Sequence, residues 1–121
     1  MENKSTKDIG NTGEDFATRY LEEKGYEIIK RNYRAGRGEI DIIVAKDDTL
    51  VFVEAKTQMH GDFGNPIEWV TKGKQRQIGK VAQAYLLSAN PQYLNFRFDV
   101  IALMWDKGTW KVQHIENAFW L

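Results

Sequence analysis

Apolar residues recur along the chain at two spacings, and the change from one to the other separates helices from strands. The first helix is predicted by a stripe at helical spacing, formed by Phe16, Ala17, Tyr20 and Leu21. Thr12 is placed to cap this helix and Gly25 to end it, so the polar residues 1–11 are expected to form a mobile tail. A second stripe predicts another helix, and its members are Ile78, Val81, Ala82, Tyr85 and Leu86. That helix is expected to end before Asn90-Pro91, because proline cannot continue a helix.

Extended patterns predict five strands. Residues 38–56 form a hairpin of two strands that turns at the polar residues 46–49. The other strands cover residues 26–33, 96–105 and 109–114, of which the second is apolar enough to be central and the third is an edge. Residues 57–66 are expected to form a loop that passes over or beside the side chains exposed by the hairpin. The order helix, three strands, helix, two strands predicts an α/β or α+β fold with a mixed sheet flanked by helices.

Composition narrows the class of protein. A chain of 121 residues with 42% hydrophobic content suits one globular domain spanning residues 1–121. The 17 basic and 17 acidic residues cancel, so any surface for nucleic acid must be local. The absence of cysteine excludes disulfides, thiolate nucleophiles and zinc sites built on sulfur. The polar N-terminus and the short apolar stretch at residues 100–105 indicate a soluble, cytoplasmic protein without a membrane partner.

The predicted hairpin brings charged residues together at one end. If its turn closes symmetrically, Ala45 faces Leu50 and, counting backward, Asp41 faces Glu54. One face is then uniformly apolar, with Ile40, Ile42, Val44, Val51, Val53 and Ala55. The charges gather on the other face, at Asp41, Glu54, Glu39 and Lys56. Side chains paired in this way lie ~5 Å apart and like charges repel, so the two carboxylates need a proton, a lysine or a metal ion between them.

Two interpretations of these charges stay open at this point. In the first, Lys56 neutralises a solvated cluster on the open face of the hairpin. In the second, Asp41 and Glu54 hold a hard divalent cation, Mg²⁺ or Mn²⁺, through the oxygen ligands that Mg²⁺ prefers. Lys56, two residues after Glu54 and on the same strand face, then orients a water or stabilises developing charge. That combination is what phosphodiester hydrolysis requires.

An acidic residue in one strand followed by Glu-x-Lys in the next resembles the signature of the PD-(D/E)XK nuclease superfamily, with Asp41 first and Glu54-Ala55-Lys56 second. No proline precedes Asp41, although one is common in the superfamily. Over nearly its full length the chain also resembles the YraN-like family of small uncharacterised proteins. The matching segments are Gly13-Glu14, Gly25-Tyr26, Arg31-Asn32-Tyr33-Arg34, residues 38–41 and 52–56, Lys74-Gln75 and residues 97–100.

This resemblance implies a restriction-endonuclease-like core, close in architecture to Holliday-junction resolvases. It implies that Glu14 joins the catalytic group of Asp41, Glu54 and Lys56, and that the backbone carbonyl of Ala55 is a further metal ligand. Glu14 also falls in the predicted first turn of its helix, where the helix dipole favours a carboxylate whatever the function. A resolvase-like architecture implies a homodimer, since two sites are needed to cut two strands.

A dense basic run in the second half of the chain suggests contacts with nucleic acid. The residues expected to make them are Lys72, Lys74, Gln75, Arg76 and Lys80, with Arg34 and Arg37 at the hairpin entry. The same run is also typical of a solvated helix face. Gln75 points partly inward by its spacing, so it either reaches the active site or caps its own turn. Asp99 would be costly if buried unpaired, and its partner is expected on a neighbouring strand rather than at Arg97.

The hypothesis that the resemblance favours is a Mg²⁺-dependent endonuclease or exonuclease whose partner is nucleic acid, in particular DNA, with branched or junction DNA among its expected substrates. One alternative is an inactive module of the same fold that binds nucleic acid without cleaving it. Another is a structural or assembly protein whose acidic cluster is a lysine-neutralised surface.

Overall fold

The computed structural model describes residues 6–59 and 61–119, with side chains from residue 12 onward. The elements are α1 (Thr6–Glu23), β1 (Glu27–Ala35), β2 (Gly38–Lys46), β3 (Thr49–Gln58), a short 3-10 helix (Pro66–Trp69), α2 (Lys72–Ala89), β4 (Asn95–Asp106) and β5 (Thr109–Ile115). The predicted order of helices and strands and the α+β class are therefore confirmed. No helix in the described part of the chain is long and apolar enough to span a membrane.

One five-stranded sheet runs in the order β1-β2-β3-β4-β5. Neighbouring strands are antiparallel except β3 and β4, which are parallel, so the sheet is mixed. Parallel neighbours need a long crossover connection, and α2 supplies it by passing over one face of the sheet. α1 covers the opposite face, and the β2–β3 hairpin is consequently buried on both sides. As predicted, β4 is an inner strand and β5 an edge.

Two apolar cores, one on each face of the sheet, hold these elements together. The α2 core includes Ile43, Leu50, Phe52, Ile78, Val81 and Tyr85. The α1 core includes Ala17, Leu21, Ile42, Val44, Val51, Val53, Ile101 and Leu103. Successive side chains of a strand point to opposite faces, so a strand covered on both faces is apolar at nearly every position.

The hairpin confirms the predicted turn, because Ala45 faces Leu50, and its ladder of paired residues runs as far as Ile42. The predicted place of Ile40 is wrong, since it lies in the α2 core whereas Ile42 lies in the α1 core. The alternation along β2 therefore changes at Asp41, just beyond the last pair of the ladder with β3, Ile42 and Val53. The register between β1 and β2 passes this position without a shift, and its irregularity lies in β1 between Ile28 and Lys30.

α1 begins earlier than predicted. Residues 6–11 form its first turns, so Thr12 is not the cap, and residues 1–5 of the expected tail lie outside the described residues. The apolar stripe starts later, but a helix propagates beyond its packed part because each added residue gains a hydrogen bond. The predicted end at Gly25 is confirmed, with a φ of +94° and its amide donating to the Glu22 carbonyl at 3.0 Å.

The ends of α2 explain how the chain reaches and leaves the sheet. Thr71 caps the helix by accepting a hydrogen bond from the Lys74 amide at 3.1 Å. The predicted stop at Asn90 is confirmed, and this residue takes a left-handed φ of 45°. The loop predicted for residues 57–66 is shorter than expected, because β3 continues through Gln58.

Candidate functional site

Asp41 lies where β2 and β3 separate, and its carboxyl group is directed toward β3. Its Oδ2 accepts a hydrogen bond of 2.8 Å from the amide of Ala55. The same carboxyl lies within hydrogen-bonding reach of the Glu54 carboxylate. Burial, followed by the contact with Glu54, raises the pKa of Asp41 from its ordinary 3.8 to about 9. Without a bound cation, Asp41 therefore keeps its proton at neutral pH.

Glu54 is the deeply buried member of this pair, with only 6% of its surface exposed. Its Oε2 is buried and has no hydrogen-bond partner among the residues that the structure describes. A buried acceptor left unsatisfied costs free energy, and a divalent cation that prefers oxygen would satisfy it. The two carboxylates are oxygen donors of the kind that Mg²⁺ or Mn²⁺ prefers, and the resemblance implies the Ala55 carbonyl as a third. The interpretation as solvated charges on an open face does not describe Glu54.

Two carboxylates are the side-chain ligands that this centre offers. Among the residues whose side chains the structure describes, no three His, Asp or Glu side chains converge closely enough to hold a metal ion. A cation held by Asp41 and Glu54 would keep several coordination positions for water and substrate, which is how Mg²⁺ is commonly bound.

The lysine that makes an ion pair with the acidic pair, Asp41 and Glu54, is Lys74, whereas one of the two interpretations of the sequence gave that part to Lys56. Lys74, in the first turn of α2, places its Nζ 3.9 Å from Oε2 of Glu54, a distance too long for a hydrogen bond. Across the described residues, Lys56 makes no ion pair with either carboxylate. Lys56 is half-buried and lies two residues beyond Glu54 on the same face of β3. The ammonium group of Lys56 therefore does not neutralise the acidic pair.

Glu14, on α1, lies close enough to Asp41 for their charges to interact, but it does not join the two carboxylates in one cluster of ligands within the described residues. Asn32, at a left-handed φ of 52°, donates from Nδ2 to Glu14 and to Glu39, both at 2.8 Å. Burial, and next the charge of Asp41, raise the pKa of Glu14. The predicted place of Glu14 in a first turn is wrong, because α1 begins at Thr6. Its contacts, and not the helix dipole, account for its position.

Two glycines allow the helices to come close to the sheet beside this centre. A Cβ added at Gly13 of α1 would lie 2.5 Å from Cγ2 of Thr57. A Cβ added at Gly38 of β2 would lie 2.5 Å from Cγ2 of Val81 on α2. Real side chains do not approach so closely, so each glycine is required for space. The approach at Gly13 is what brings the adjacent Glu14 to the sheet.

A groove of about 530 Å³ lies between the β1–β2 turn and α2, and we call it the basic groove. Its lining includes three cations, Arg37, Arg76 and Lys80, and no acidic residue in the described part of the chain. Lys72, Arg76 and Lys80 are all exposed and follow one another at intervals of four residues. That spacing places them in one stripe along α2. The structure thus brings together four of the residues predicted to contact nucleic acid.

Two other residues predicted to contact nucleic acid lie outside the basic groove. Gln75 is 7% exposed and donates from Nε2 to the Val70 carbonyl at 3.0 Å, so it closes the turn before α2 and is not on the surface. Arg34 is exposed, lies 3.4 Å from Glu39 and lines a second pocket with Glu14, so its contact with nucleic acid stays a prediction.

Gln77 is a residue that the sequence reasoning missed. Its Oε1 accepts a hydrogen bond from Lys74 Nζ at 3.4 Å, and its Nε2 donates to the Arg37 carbonyl at 3.3 Å. The side chain therefore links the acidic pair's lysine to the basic groove. Its spacing of three residues from Lys74 was the available signal, because residues three apart on a helix are neighbours.

A second buried carboxylate, Asp99, belongs to a separate cluster. It accepts hydrogen bonds from Arg97 at 2.8 and 3.0 Å and from the Asn117 amide at 2.9 Å, and lies 2.8 Å from Nε2 of His114. The expectation that Arg97 could not be its partner is wrong, because residues two apart on a strand share a face. Burial alone would raise the pKa of Asp99, but the bonds with His114, Arg97 and the Asn117 amide lower it. The cluster has its partners and holds β4 to β5.

Together, the element order, the mixed sheet and the acidic pair where two inner strands separate match the arrangement expected of a restriction-endonuclease-like core. The chain belongs to the uncharacterised protein family UPF0102, whose profile matches residues 13–103. The expected membership of a small uncharacterised family is confirmed, and the name of that family assigns no activity.

Relatives of this family match nearly the whole chain. A UPF0102 protein of Alkaliphilus oremlandii is 49% identical over 115 residues, which are 93% of this chain and 98% of that protein. One of Prosthecochloris aestuarii is 47% identical over 119 residues, covering 93% and 94% of the two chains. One of Dictyoglomus thermophilum is 39% identical over 119 residues, covering 95% and 99%.

Proposed function

We propose that this protein is a divalent-cation-dependent nuclease that hydrolyses phosphodiester bonds in DNA. The observation that carries the proposal is the buried pair of Asp41 and Glu54, in which Oε2 of Glu54 has no partner and Asp41 is oriented by the Ala55 amide. Such a pair destabilises the protein when no cation is bound. Strongly perturbed carboxyl groups of this kind are typical of functional sites.

The residues divide the chemistry among them. Asp41, Glu54 and the Ala55 carbonyl would hold Mg²⁺ or Mn²⁺, which when bound supplies charge stabilisation at the phosphate and a more acidic water. Lys56, with no carboxylate partner, would donate a hydrogen bond to the attacking water or to the phosphate oxygen that gains charge. Glu14, held by Asn32, would accept a hydrogen bond from water at the edge of the centre.

Substrate positioning is assigned to the basic groove. Arg37, Arg76 and Lys80 line it, and Lys72 continues their stripe along α2. Contacts of arginine and lysine with phosphates position a nucleic acid without reading its sequence. We therefore expect binding that depends strongly on salt and only weakly on base sequence.

The test is a cleavage panel with purified protein. Linear, flapped and four-way-junction DNA and a matched RNA are incubated with Mg²⁺, Mn²⁺ or EDTA. We expect cleavage of at least one DNA substrate with a divalent ion and none in EDTA. Glu54→Gln and Lys56→Ala should each lower the rate about 100-fold or more. Lys111→Ala, which removes an exposed lysine of β5, is the matched control and should cut like the parent.

The proposal fails if no substrate is cut with either ion, or if Lys56→Ala cuts as fast as the parent. Cleavage of a four-way junction at both strands would need two centres, so this form of the proposal includes a homodimer. Light scattering of the protein with and without junction DNA measures that stoichiometry.

A second candidate function is nucleic-acid binding without cleavage. It is favoured by the basic groove, whose cations lie outside the acidic pair and do not need a metal to attract phosphates. Fluorescence anisotropy with DNA in EDTA distinguishes the two functions. Binding that survives Glu54→Gln, is lost in Arg76→Ala, and is accompanied by no cleavage under any condition supports the binding module.

A further inference from the structure

Lys74 stands between the acidic pair and the basic groove. Its Nζ lies 3.9 Å from Oε2 of Glu54 and donates to Oε1 of Gln77 at 3.4 Å. Gln77 in turn donates to the carbonyl of Arg37, which lines the groove. One ammonium group is thus paired with Glu54 and bonded to Gln77, which itself lines the groove.

The ammonium is held loosely on the side of Glu54. At 3.9 Å it gains Coulomb attraction but no hydrogen bond, and Oε2 keeps no partner. The side chain is 30% exposed, whereas the Glu54 side chain is 6% exposed, so Lys74 can move into solvent and Glu54 cannot. Its backbone stays fixed, because the amide of Lys74 donates to the capping hydroxyl of Thr71.

We propose that Lys74 is the internal counter-ion of the acidic pair, that it competes with a divalent cation for Glu54, and that cation binding releases it to bind a phosphate at the mouth of the basic groove. This inference rests on the proposed function for its cation. A cation at Oε2 of Glu54 would repel an ammonium about 4 Å away. Gln77 would guide the released side chain, since it already joins Lys74 to the groove.

Competition for Glu54 makes the two ligands help each other. The cation removes Lys74 from Glu54, and a phosphate that binds Lys74 leaves Glu54 open to the cation. Because coupling between two binding sites is reciprocal, each ligand should raise the affinity for the other by the same factor. Lys80 offers a control on the same helix, because it lines the groove but makes no ion pair with Glu54 in the described structure.

The experiment measures Mn²⁺ binding by isothermal titration calorimetry, without nucleic acid. Lys74→Gln, which removes the charge and keeps a polar end, should bind Mn²⁺ about tenfold more tightly than the parent, since one opposing charge at this distance and exposure is worth about that factor. Lys74→Met is a second neutral variant in case the first folds poorly. Lys74→Arg keeps the charge and should stay close to the parent, as should Lys80→Gln.

A second measurement follows the released ammonium. Fluorescence anisotropy with cleavage-resistant phosphorothioate DNA is recorded with and without Mn²⁺. Mn²⁺ should raise the DNA affinity of the parent by a larger factor than that of Lys74→Gln. Lys80→Gln should bind DNA more weakly throughout but keep the parent's response to Mn²⁺.

Unchanged or weaker Mn²⁺ binding by both neutral variants overturns the inference, as does the absence of Mn²⁺ binding in every protein. An equal response of parent and Lys74→Gln to Mn²⁺ overturns the release step. Both measurements are independent of cleavage. A parent that cuts DNA but shows no effect of Lys74 contradicts this inference alone, whereas a Lys74 effect in a protein that cuts nothing contradicts only the nuclease.

Discussion

Replacing Asp41 by asparagine should stabilise the protein in EDTA at neutral pH, while removing its capacity to bind a divalent cation. Asparagine has the shape of protonated aspartic acid, so its oxygen can accept from the Ala55 amide and its NH₂ can donate to Glu54. The parent reaches the same arrangement only by keeping a proton on Asp41. Its pKa is about 9 in the folded protein, against an ordinary 3.8.

The magnitude follows from that difference. Because the pKa of Asp41 is raised on folding, the folded state binds more protons than the unfolded state between pH 4 and pH 9, and stability falls as the pH rises through this window. Keeping Asp41 protonated at pH 7 costs at most about 4 kcal/mol of folding free energy. This limit is the difference between pH 7 and the ordinary pKa of 3.8, multiplied by about 1.4 kcal/mol per pH unit. Relaxation of the site and entry of water lower this cost, so we expect Asp41→Asn to gain about 1–3 kcal/mol.

The assay is urea unfolding of the parent and of Asp41→Asn in EDTA at pH 5, 7 and 8.5. The gain from the substitution should grow with pH. Addition of Mn²⁺ should stabilise the parent by mass action and leave Asp41→Asn unchanged. Asp106→Asn, which removes a half-exposed carboxylate of β4, is the control and should show neither effect. A variant that is less stable than the parent at pH 7, or a gain that does not depend on pH, would refute the reasoning.

Three further predictions concern the rest of the fold and the same centre. Asp99→Ala should lose about 3–5 kcal/mol in urea unfolding, because it removes a fully buried carboxylate that holds the Arg97 guanidinium, the His114 ring and the Asn117 amide, and a loss below 1 kcal/mol would contradict this account. Gly13→Ala should destabilise the protein by about 1–3 kcal/mol, because the added Cβ would contact Thr57. Gly73→Ala is the control and should be neutral or stabilising, because no described atom would lie nearer than 3.9 Å to its Cβ. Equal effects of the two substitutions would show that α1 is not closely packed at Gly13. Mn²⁺ affinity should rise between pH 6 and 8, because the cation must displace the proton of Asp41, and calorimetry in buffers of different ionisation enthalpy should detect its release.

Much of the fold could be predicted because the relevant signals are local. The stripe from Ile78 to Leu86 and the stop at Asn90 defined α2, and the alternation through the hairpin fixed the pairing of Ala45 with Leu50. α1 was predicted too short, because residues 6–11 form helix without an apolar stripe that would reveal it.

The sequence predicted which residues form the acidic pair, but it predicted less well how the residues around that pair are arranged. Counting the hairpin register brought Asp41 to Glu54, and the structure does place them together. Counting could not show that the alternation of β2 changes at Asp41, because strict alternation was its premise, and so Ile40 was assigned to the wrong face. The pairing of Asp99 with Arg97 could have been counted, because residues two apart on a strand share a face, and only the burial of Asp99 needed the structure.

What the sequence alone determined is therefore the acidic pair, the lysine that follows it on β3, and the order of elements that carries them. These features follow from the periods of two residues in a strand and 3.6 residues in a helix, which can be counted along the sequence. Only the tertiary structure decided that Lys74, and not Lys56, makes the ion pair with Glu54. It also decided that Gln75 is buried, whereas Gln77 joins Lys74 to the basic groove. The physical reason is that α2 crosses over the sheet, and the part of the helix that meets Glu54 is set by packing between distant segments.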